Sequence, residues 1–393
     1  MNKILLSVSI SIGLFILPSC KKEKSKADVY LVENDSLSVN QIQILASHNS
    51  YKIRTEDTII KFLGTLGSLL PSNLDPADLD YTHENFDVQM SNYNIRGLEI
   101  DIYNDPVGGD FYNRKMNSFV NLPESSGEPS LLSPGFKVLH IKDVDYKTHY
   151  FAFKQSLQAI KDWSKAHPNH LPLFVNIETK SESPGDEATL AQLGFRSALP
   201  FDADAVNKID EEFKSIFGHD LKGIITPDLL RGNLATLNEV VTTQKWPRLG
   251  ECRGKIFFIL QGQLTPFYKS SSSMLSGRVM FTYETNINPF SVFMIYNDPV
   301  SAQNTIRQRV EQGYIVRTRS DVFQEARDGD YSRLNLALSS GAQIISTDYY
   351  KPDARGGVDP NWSTYKAELP RGVVGRKNPV NASLVMIDET LRE

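Results

Sequence analysis

The stretch of sequence that decides the fold is Gly97-Leu98-Glu99-Ile100-Asp101-Ile102-Tyr103. Its acidic and apolar side chains alternate, so in a β-strand Glu99 and Asp101 project from one face and Leu98, Ile100 and Ile102 from the other. In a closed barrel of parallel strands, the apolar set would face the surrounding helices. Both carboxylates would then point into the mouth of the barrel.

The chain beyond about residue 38 repeats this kind of segment, with short apolar runs between longer amphipathic stretches. The candidate strands are Ile42–Ala46, Gly97–Ile102, Phe136–Ile141, Leu173–Ile177, Lys255–Leu260, Ser291–Ile295, Tyr314–Thr318 and Gln343–Ser346. Helical patterns cover Phe151–Ala166, Ala203–Phe217, Leu234–Val241 and Ala302–Gln312. Strands separated by helices predict an α/β fold built from parallel βαβ units, and eight of them predict a (β/α)₈ TIM barrel.

Two features of the strand pattern leave room for alternatives. A ninth apolar run, Val279–Tyr283, fits the series poorly and is interpreted as a short extra strand. A doubly wound open sheet is the main structural rival of the barrel. No Gly-rich dinucleotide or P-loop motif follows any candidate strand, which weakens that rival.

The composition is that of an ordinary globular protein, with 40% hydrophobic and 23% charged residues among 393. This mixture excludes a mostly disordered chain and a collagen-like repeat. The formal net charge of −5 argues against a nucleic-acid partner. Two cysteines are too few for a disulfide framework or a thiolate metal site, so Cys252 is expected to be a buried thiol without a disulfide.

The N-terminus has the pattern of a secretory signal. Met1-Asn2-Lys3 precedes the apolar run Ile4–Leu17, which is too short to span a bilayer. The run ends in Leu17-Pro18-Ser19-Cys20, which resembles a bacterial lipobox. We therefore expect a signal peptide over 1–19, a charged tether over 20–38 behind a lipidated Cys20, and one barrel over 39–393. The protein would then be a monomeric lipoprotein of the bacterial cell envelope, in the outer membrane or at the cell surface.

Polar residues follow four consecutive candidate strands at the point where each strand ends. The first finishes on His48-Asn49, the second carries Glu99 and Asp101, the third ends at His140, and the fourth ends at Glu178. Burying carboxylates among apolar neighbours is costly unless a cation or hydrogen bonds compensate. Three carboxylates and an amide oxygen form a set of hard oxygen ligands that suits Ca²⁺ better than Zn²⁺.

Each of these residues taken alone has a plain structural explanation. A single histidine at a strand end is often half-buried without a function, and Glu-x-Asp is a weak pattern. Their recurrence on four strand ends favours a site, because barrel enzymes draw their site residues from several strand ends. The long connections Asn104–Gly135 and Thr179–Asp202 follow candidate strands and are expected to surround the same mouth.

A specific family resemblance rests on segments spread over about residues 41–380. They are Ser47-His48-Asn49-Ser50-Tyr51, Tyr81-Thr82-His83-Glu84, Gly97–Asp101, Asp105–Gly109, Leu139-His140, Asn176-Ile177-Glu178, Gly313–Asp321 and Ser340–Tyr349. In this order they resemble the phosphatidylinositol-specific phospholipase C family of the PLC-like phosphodiesterase superfamily, and within it the bacterial calcium-dependent branch. The resemblance implies a distorted (β/α)₈ barrel that cleaves a phosphodiester next to an inositol.

The resemblance also implies roles for individual residues. Asn49, Glu99, Asp101 and Glu178 would hold Ca²⁺, while His48 would stabilise charge on the phosphorus and His140 would protonate the leaving diacylglycerol oxygen. Either Glu99 or Glu178 could be the base that activates the inositol hydroxyl. Arg317 and Arg319 would contact the substrate, although for both a solvated salt bridge on the helix-facing side is an equal alternative.

The segment Phe258–Gln263 lacks the lysines with which eukaryotic members grip extra ring phosphates, so a polyphosphorylated headgroup is not expected to be required. The leading hypothesis is thus a Ca²⁺-dependent hydrolase or lyase of phosphatidylinositol or a related inositol phospholipid. A glycerophosphodiester phosphodiesterase is the enzymatic alternative. A non-catalytic lipoprotein that binds phosphorylated ligands or sugars is the third.

Overall fold

The computed structural model describes residues 34–67, 75–382 and 390–393. Eight parallel strands close into a barrel, in the order β1-β2-β4-β5-β6-β7-β8-β9 and back to β1. The predicted (β/α)₈ fold is therefore confirmed. The proposed signal peptide and the lipidated Cys20 lie outside the described residues. No helix in the described ranges is both long and apolar enough to cross a bilayer.

Helices separate most of the consecutive barrel strands, but β7 follows β6 without one. The strands are β1 Ile42–Ser47, β2 Ile95–Tyr103, β3 Lys137–Val138, β4 Leu173–Thr179, β5 Ile256–Gly262, β6 Phe281–Glu284, β7 Phe293–Ile295, β8 Ile315–Arg319, β9 Ile344–Thr347 and β10 Arg376–Lys377. The α-helices are Asp57–Leu66, Phe86–Asn92, Phe153–Ala166, Ala188–Gln192, Ala203–Phe217, Pro227–Arg231, Asn238–Thr242, Leu249–Cys252, Thr265–Ser270, Pro299–Glu311, Phe323–Asp328 and Ser332–Ser340. Short 3₁₀ turns occupy several of the connections.

Two strand predictions were wrong. The run Phe136–Ile141 is not a barrel strand, because its strand segment β3 pairs antiparallel to β2 outside the barrel. Parallel pairing of β2 with β4 over six residue pairs takes the place expected for it. The ninth run supplies the missing barrel strand as β6, between β5 and β7. Neither arrangement can be read from apolar content, since pairing partners are set by the tertiary fold.

Aromatic side chains fill the half of the barrel nearer the amino ends of the strands. Phe174 and Phe257 stack at 5.2 Å between ring centroids, and Phe281 and Phe293 meet at 5.1 Å. These four project inward, on the same strand faces that carry polar groups nearer the carboxyl ends. Such packing fills the amino-terminal end of the barrel with apolar side chains, so the space for a ligand lies nearer the carboxyl ends of the strands.

The outward faces of the strands pack against the helices as the alternation predicted. Leu98, Ile100 and Ile102 on β2 are at most 2% exposed and belong to the main apolar core. Cys252 is also fully buried in this core and is a free thiol, as expected. Burial raises the pKa of that thiol to about 12, so it is unreactive at neutral pH.

Candidate active site

A cavity of about 680 Å³ opens at the carboxyl ends of the barrel strands. His48, Asn49, His140, Glu178 and Arg319 all line it. The two long connections also reach it, as predicted, through residues that include Met116 and Leu190. One wall is apolar, formed by Leu63, Leu66, Leu79, Met116, Ile141, Val144 and Leu190. The cavity thus has charged side chains on one side and apolar side chains on the other.

His48 follows β1 and is oriented by Asp348, which follows β9. The Nδ1 of His48 lies 2.7 Å from Asp348 Oδ1, and its Nε2 lies 3.8 Å from Glu99 Oε2. Burial would raise the pKa of Asp348, but Arg319 and His48 hold that pKa well below its usual value. Asp348 therefore stays ionised. It orients the ring of His48 so that Nε2 points toward the cavity.

His140 is held in the same way by a second buried aspartate. Its Nδ1 lies 2.8 Å from Asp145 Oδ2, and Lys52 Nζ lies 2.8 Å from the same oxygen. Burial would raise the pKa of Asp145, but Lys52 and His140 bring it well below its usual value. Burial and the nearby Lys180 lower the pKa of His140 to about 4, so the ring is neutral at pH 7.

The backbone that carries His140 differs from the prediction. Residue 140 does not end a strand but lies in a tight turn, where the amides of His140 and Ile141 both donate to the carbonyl of Asp145. Asp143 in this turn has a φ of +66°. The turn folds Asp145 back beneath the ring of His140, five residues earlier, which a straight strand could not do.

Glu99, Asp101 and Glu178 form a compact carboxylate cluster, since each offers an oxygen within 4.8 Å of the others. Register explains this, because Asp101 on β2 pairs directly with Glu178 on β4. Asp101 is fully buried; its Oδ2 accepts a 2.9 Å hydrogen bond from Lys180, and its Oδ1 has no partner in the described residues. Burial raises the pKa of Asp101 to about 7 despite Lys180.

Glu99 is more fully engaged than the other two carboxylates. Its Oε1 accepts a 2.8 Å hydrogen bond from Asn176, and its Oε2 accepts one from the guanidinium of Arg317. Burial would raise the pKa of Glu99, but Arg317 lowers it below its usual value. Arg317 also donates to Asn297 at 3.0 Å, which fixes the guanidinium inside the barrel.

Both arginines point into the barrel. Arg319 pairs with Asp348 beside the cavity, as Arg317 pairs with Glu99 below it. The alternative of solvated, helix-facing salt bridges was wrong. Residues 317 and 319 are two apart on β8, so they share its inner face.

Residues behind the site fix its backbone. Asn49 has a φ of +46°, a left-handed conformation that few residues other than glycine adopt, and its Nδ2 donates to Tyr81 Oη at 3.0 Å. His83 Nε2 donates to the carbonyl of His48 at 2.7 Å. The segment Tyr81–Glu84, noted in the sequence, thus supports the turn that presents His48 and Asn49 to the cavity.

The donor set fits a calcium ion. Three carboxylates converge, the amide of Asn49 lines the same cavity, and the partnerless Asp101 Oδ1 is a buried acceptor that a cation would satisfy. Two histidines, each fixed by an anionic aspartate, flank this cluster. An acid–base pair beside a hard-cation site can activate a hydroxyl, stabilise charge on phosphorus and protonate a leaving oxygen.

The eight non-lipid site residues predicted from the sequence all lie at this end of the barrel, where the structure brings them together. The sequence prediction missed Asp145, Asp348, Lys52 and Lys180. Asp348 lies in the noted Ser340–Tyr349 segment and Lys180 follows β4 directly, so strand-end position was an available signal for both. No sequence signal marked Asp145 and Lys52, because only the geometry of the loops brings them to His140.

Two oriented histidines beside a carboxylate cluster at the mouth of a barrel form an arrangement suited to the cleavage of a phosphodiester. The family model for Ca²⁺-dependent phosphoinositide phospholipase C matches residues 37–379. The chain belongs to this family, whose members depend on Ca²⁺ and act as phospholipases C.

A solved structure supports the barrel fold. A calcium-dependent phosphoinositol-specific phospholipase C from a Gram-negative Pseudomonas species is 13% identical, with 88% of this chain and 97% of that chain covered at a TM-score of 0.50. The Ca²⁺-dependent phosphatidylinositol-specific enzyme of Streptomyces antibioticus is 14% identical, with 80% and 95% covered at a TM-score of 0.47. A comparison with curated proteins gives no match.

Proposed function

We propose that this protein cleaves the glycerol-side phosphodiester bond of phosphatidylinositol or a related inositol phospholipid, releasing diacylglycerol and an inositol phosphate that is cyclic or opened. The observation that carries this proposal is the pair of aspartate-held histidines on either side of the carboxylate cluster. The apolar wall of the cavity supports a lipid substrate, since it can cover the glycerol and the first acyl carbons.

We assign the Ca²⁺ ligands to Asn49, Glu99, Asp101 and Glu178. When bound, the ion supplies charge for a phosphoryl oxygen and lowers the pKa of the inositol 2-hydroxyl. Glu178 is the better candidate for the base that takes the hydroxyl proton. It is half-buried at the cavity, whereas both oxygens of Glu99 already accept hydrogen bonds.

The two histidines have different roles in the reaction. His48 donates from Nε2 to the charge that develops on the phosphoryl oxygens, and Asp348 holds the ring in this orientation through Nδ1. His140 protonates the leaving diacylglycerol oxygen; the negative phosphate counteracts the burial that otherwise keeps this ring neutral. If the cyclic phosphate is opened, the same His140 takes a proton from the attacking water. Arg317 and Arg319 contribute positive charge on the substrate side.

The test is a product assay on the chain after residue 20, with phosphatidylinositol and separately with glycerophosphodiesters, in Ca²⁺ or in chelator. Diacylglycerol and inositol phosphate should form only with Ca²⁺, and H48A and H140A should each lower turnover by about 10²–10⁴-fold. Glycerol phosphate as the sole product would instead identify a glycerophosphodiester phosphodiesterase. Ca²⁺ binding without turnover of any diester would indicate a non-catalytic ligand-binding lipoprotein.

We also propose that Cys20 is acylated after removal of residues 1–19 and that this anchors a monomeric enzyme to the bacterial cell envelope. The lipobox-like Leu17–Cys20 supports this proposal. Metabolic labelling with a radioactive fatty acid should label the wild-type protein and not C20A, which should leave the membrane fraction. Equal labelling of both proteins would rule out Cys20 as the acylated residue.

A further inference from the structure

Lys180 is a cation already present inside the proposed calcium site. It follows β4 directly, two residues after Glu178, and its backbone amide donates to the carbonyl of Ile102 at 3.0 Å. Its Nζ lies 2.9 Å from Asp101 Oδ2, and its side chain lines the cavity with only 18% of its surface exposed. The ammonium is therefore held against the carboxylate cluster and is not a solvated surface charge.

The charges of the cluster are partly balanced by side chains. Three carboxylates are opposed by two cations, Arg317 on Glu99 and Lys180 on Asp101. Arg317 is nearly fully buried and has further hydrogen bonds to Asn297 and Ser346 that hold it in place. Within the part of the chain that the structure describes, the Lys180 ammonium donates a hydrogen bond to Asp101 alone, so it is the cation that can move.

A divalent ion on these carboxylates would lie within a few ångströms of Lys180 Nζ. Asp101 Oδ1 is free to accept it, while Oδ2 is shared with the ammonium. Two positive charges this close repel strongly in a buried setting, where the effective dielectric constant is well below that of water. The ammonium must then either withdraw along the cavity wall or remain and weaken ion binding.

We infer that Lys180 sets the Ca²⁺ affinity of this site, acting as an internal counter-ion that neutralises Asp101 and competes with the ion for the cluster. The inference rests on the proposed Ca²⁺-dependent function, which it deepens by naming the residue that weakens ion binding. Lys180 is a positioning residue in this scheme and does not touch the reacting atoms. When no ion is bound, the positive charge of Lys180 offsets the mutual repulsion of the three carboxylates.

The experiment measures Ca²⁺ binding to the full chain by calorimetry, with CaCl₂ titrated into wild type, K180Q, K180R and K147Q. Gln can still donate to Asp101 but has no charge, whereas Arg keeps the charge. Lys147 is a matched lysine that pairs with Glu56 at 3.1 Å outside the cavity. We expect the Kd of K180Q to fall at least about tenfold, equivalent to about 1.4 kcal/mol, with K180R and K147Q within about threefold of wild type.

Thermal unfolding gives a second readout that does not depend on activity. Without Ca²⁺, K180Q should melt below wild type, and saturating Ca²⁺ should raise its Tm by more than that of wild type. An unchanged or higher Kd for K180Q would overturn the inference, as would the absence of binding by both proteins. Tighter binding by K180Q together with no turnover of phosphatidylinositol by wild type would support the inference while the proposed function failed.

Discussion

At the scale of single residues, the site depends on which aspartate holds which histidine. Asp145 serves both His140 and the fully buried Lys52, whereas Asp348 serves His48 and Arg319, whose side chain is 22% exposed. Each aspartate orients one catalytic histidine, but the two aspartates neutralise different cations. Buried cations are stable only when paired, so the consequences for stability should differ.

We expect D145N and D348N each to lower kcat by about 10²–10⁴-fold, because neither neutral amide can stabilise an imidazolium. D145N should also cost about 3–5 kcal/mol of unfolding free energy, since it leaves Lys52 buried without an anion. D348N should cost clearly less. Turnover assays and urea unfolding measure these effects.

The control is D162N, on the exposed face of the helix Phe153–Ala166, which should match wild type in both measurements. D348N should act mainly on kcat with little change in KM, because the ring of His48 loses the carboxylate that orients its Nδ1. A D348N protein with wild-type turnover would contradict the assigned role.

At the scale of elements, the helix Ala203–Phe217 packs against the end of the long connection Asn104–Gly135. Glu212 on this helix accepts a 3.1 Å hydrogen bond from the amide of Phe136, while its Oε2 has no partner in the described residues. Burial raises the pKa of Glu212 to about 7. The contact that positions β3 is thus made by a carboxyl group that resists ionisation.

This raised pKa predicts a specific pH dependence of stability. The unfolded carboxyl titrates near 4.5, so the contribution of Glu212 is fully present below that pH and is lost as the pH rises through about 7. E212Q should therefore gain stability relative to wild type on going from pH 5 to pH 8, by on the order of 2–3 kcal/mol. Urea unfolding of both proteins at the two pH values measures this difference.

The matched control is E211Q, one residue earlier on the exposed side of the same helix. Its stability should follow that of wild type at both pH values. If the difference between E212Q and wild type does not change with pH, the carboxyl group of Glu212 titrates normally and the interpretation is wrong.

At the scale of the whole molecule, the barrel closes where β1 meets β2. Ala46 pairs with Gly97 there, and a Cβ added to Gly97 would lie 2.5 Å from the Cβ of Ala46. This separation is far below a normal contact, so glycine is required by close approach and not by a left-handed φ. Glu99 and Asp101 lie on β2 and His48 directly follows β1, so closure also aligns the site.

G97A should therefore destabilise the protein by about 1–3 kcal/mol, because the barrel seam must open to admit the methyl group. In the double variant A46G/G97A the opposing methyl is gone, so its cost should be smaller than the sum of the two single costs by at least about 1 kcal/mol. Chemical unfolding of the single and double variants measures this coupling.

G64A is the control, since a Cβ on Gly64 in the helix Asp57–Leu66 meets nothing within 4 Å. Alanine there should leave stability unchanged or raise it by about 0.5–1 kcal/mol. Strictly additive costs for Ala46 and Gly97 would show that their contact does not limit closure.

The sequence by itself determined the class of fold and most of the site. Apolar runs separated by helical patterns indicated a barrel, and the alternation along Gly97–Tyr103 placed both carboxylates of β2 inside it. The strand-end pattern predicted that His48, Asn49, Glu99, Asp101 and Glu178 lie together, because parallel strands bring their carboxyl ends to one place. These conclusions needed only local periodicity and the geometry of strands.

Only the tertiary structure decided which strands pair and what each site residue binds. Val279–Tyr283 became a barrel strand and Phe136–Ile141 did not, since pairing depends on neighbours that are distant in sequence. The partners of the histidines, Asp145 and Asp348, and the cation Lys180 also came from the fold. Their roles arise from burial, which makes an unpaired charge costly and so forces specific pairs that no sequence pattern encodes.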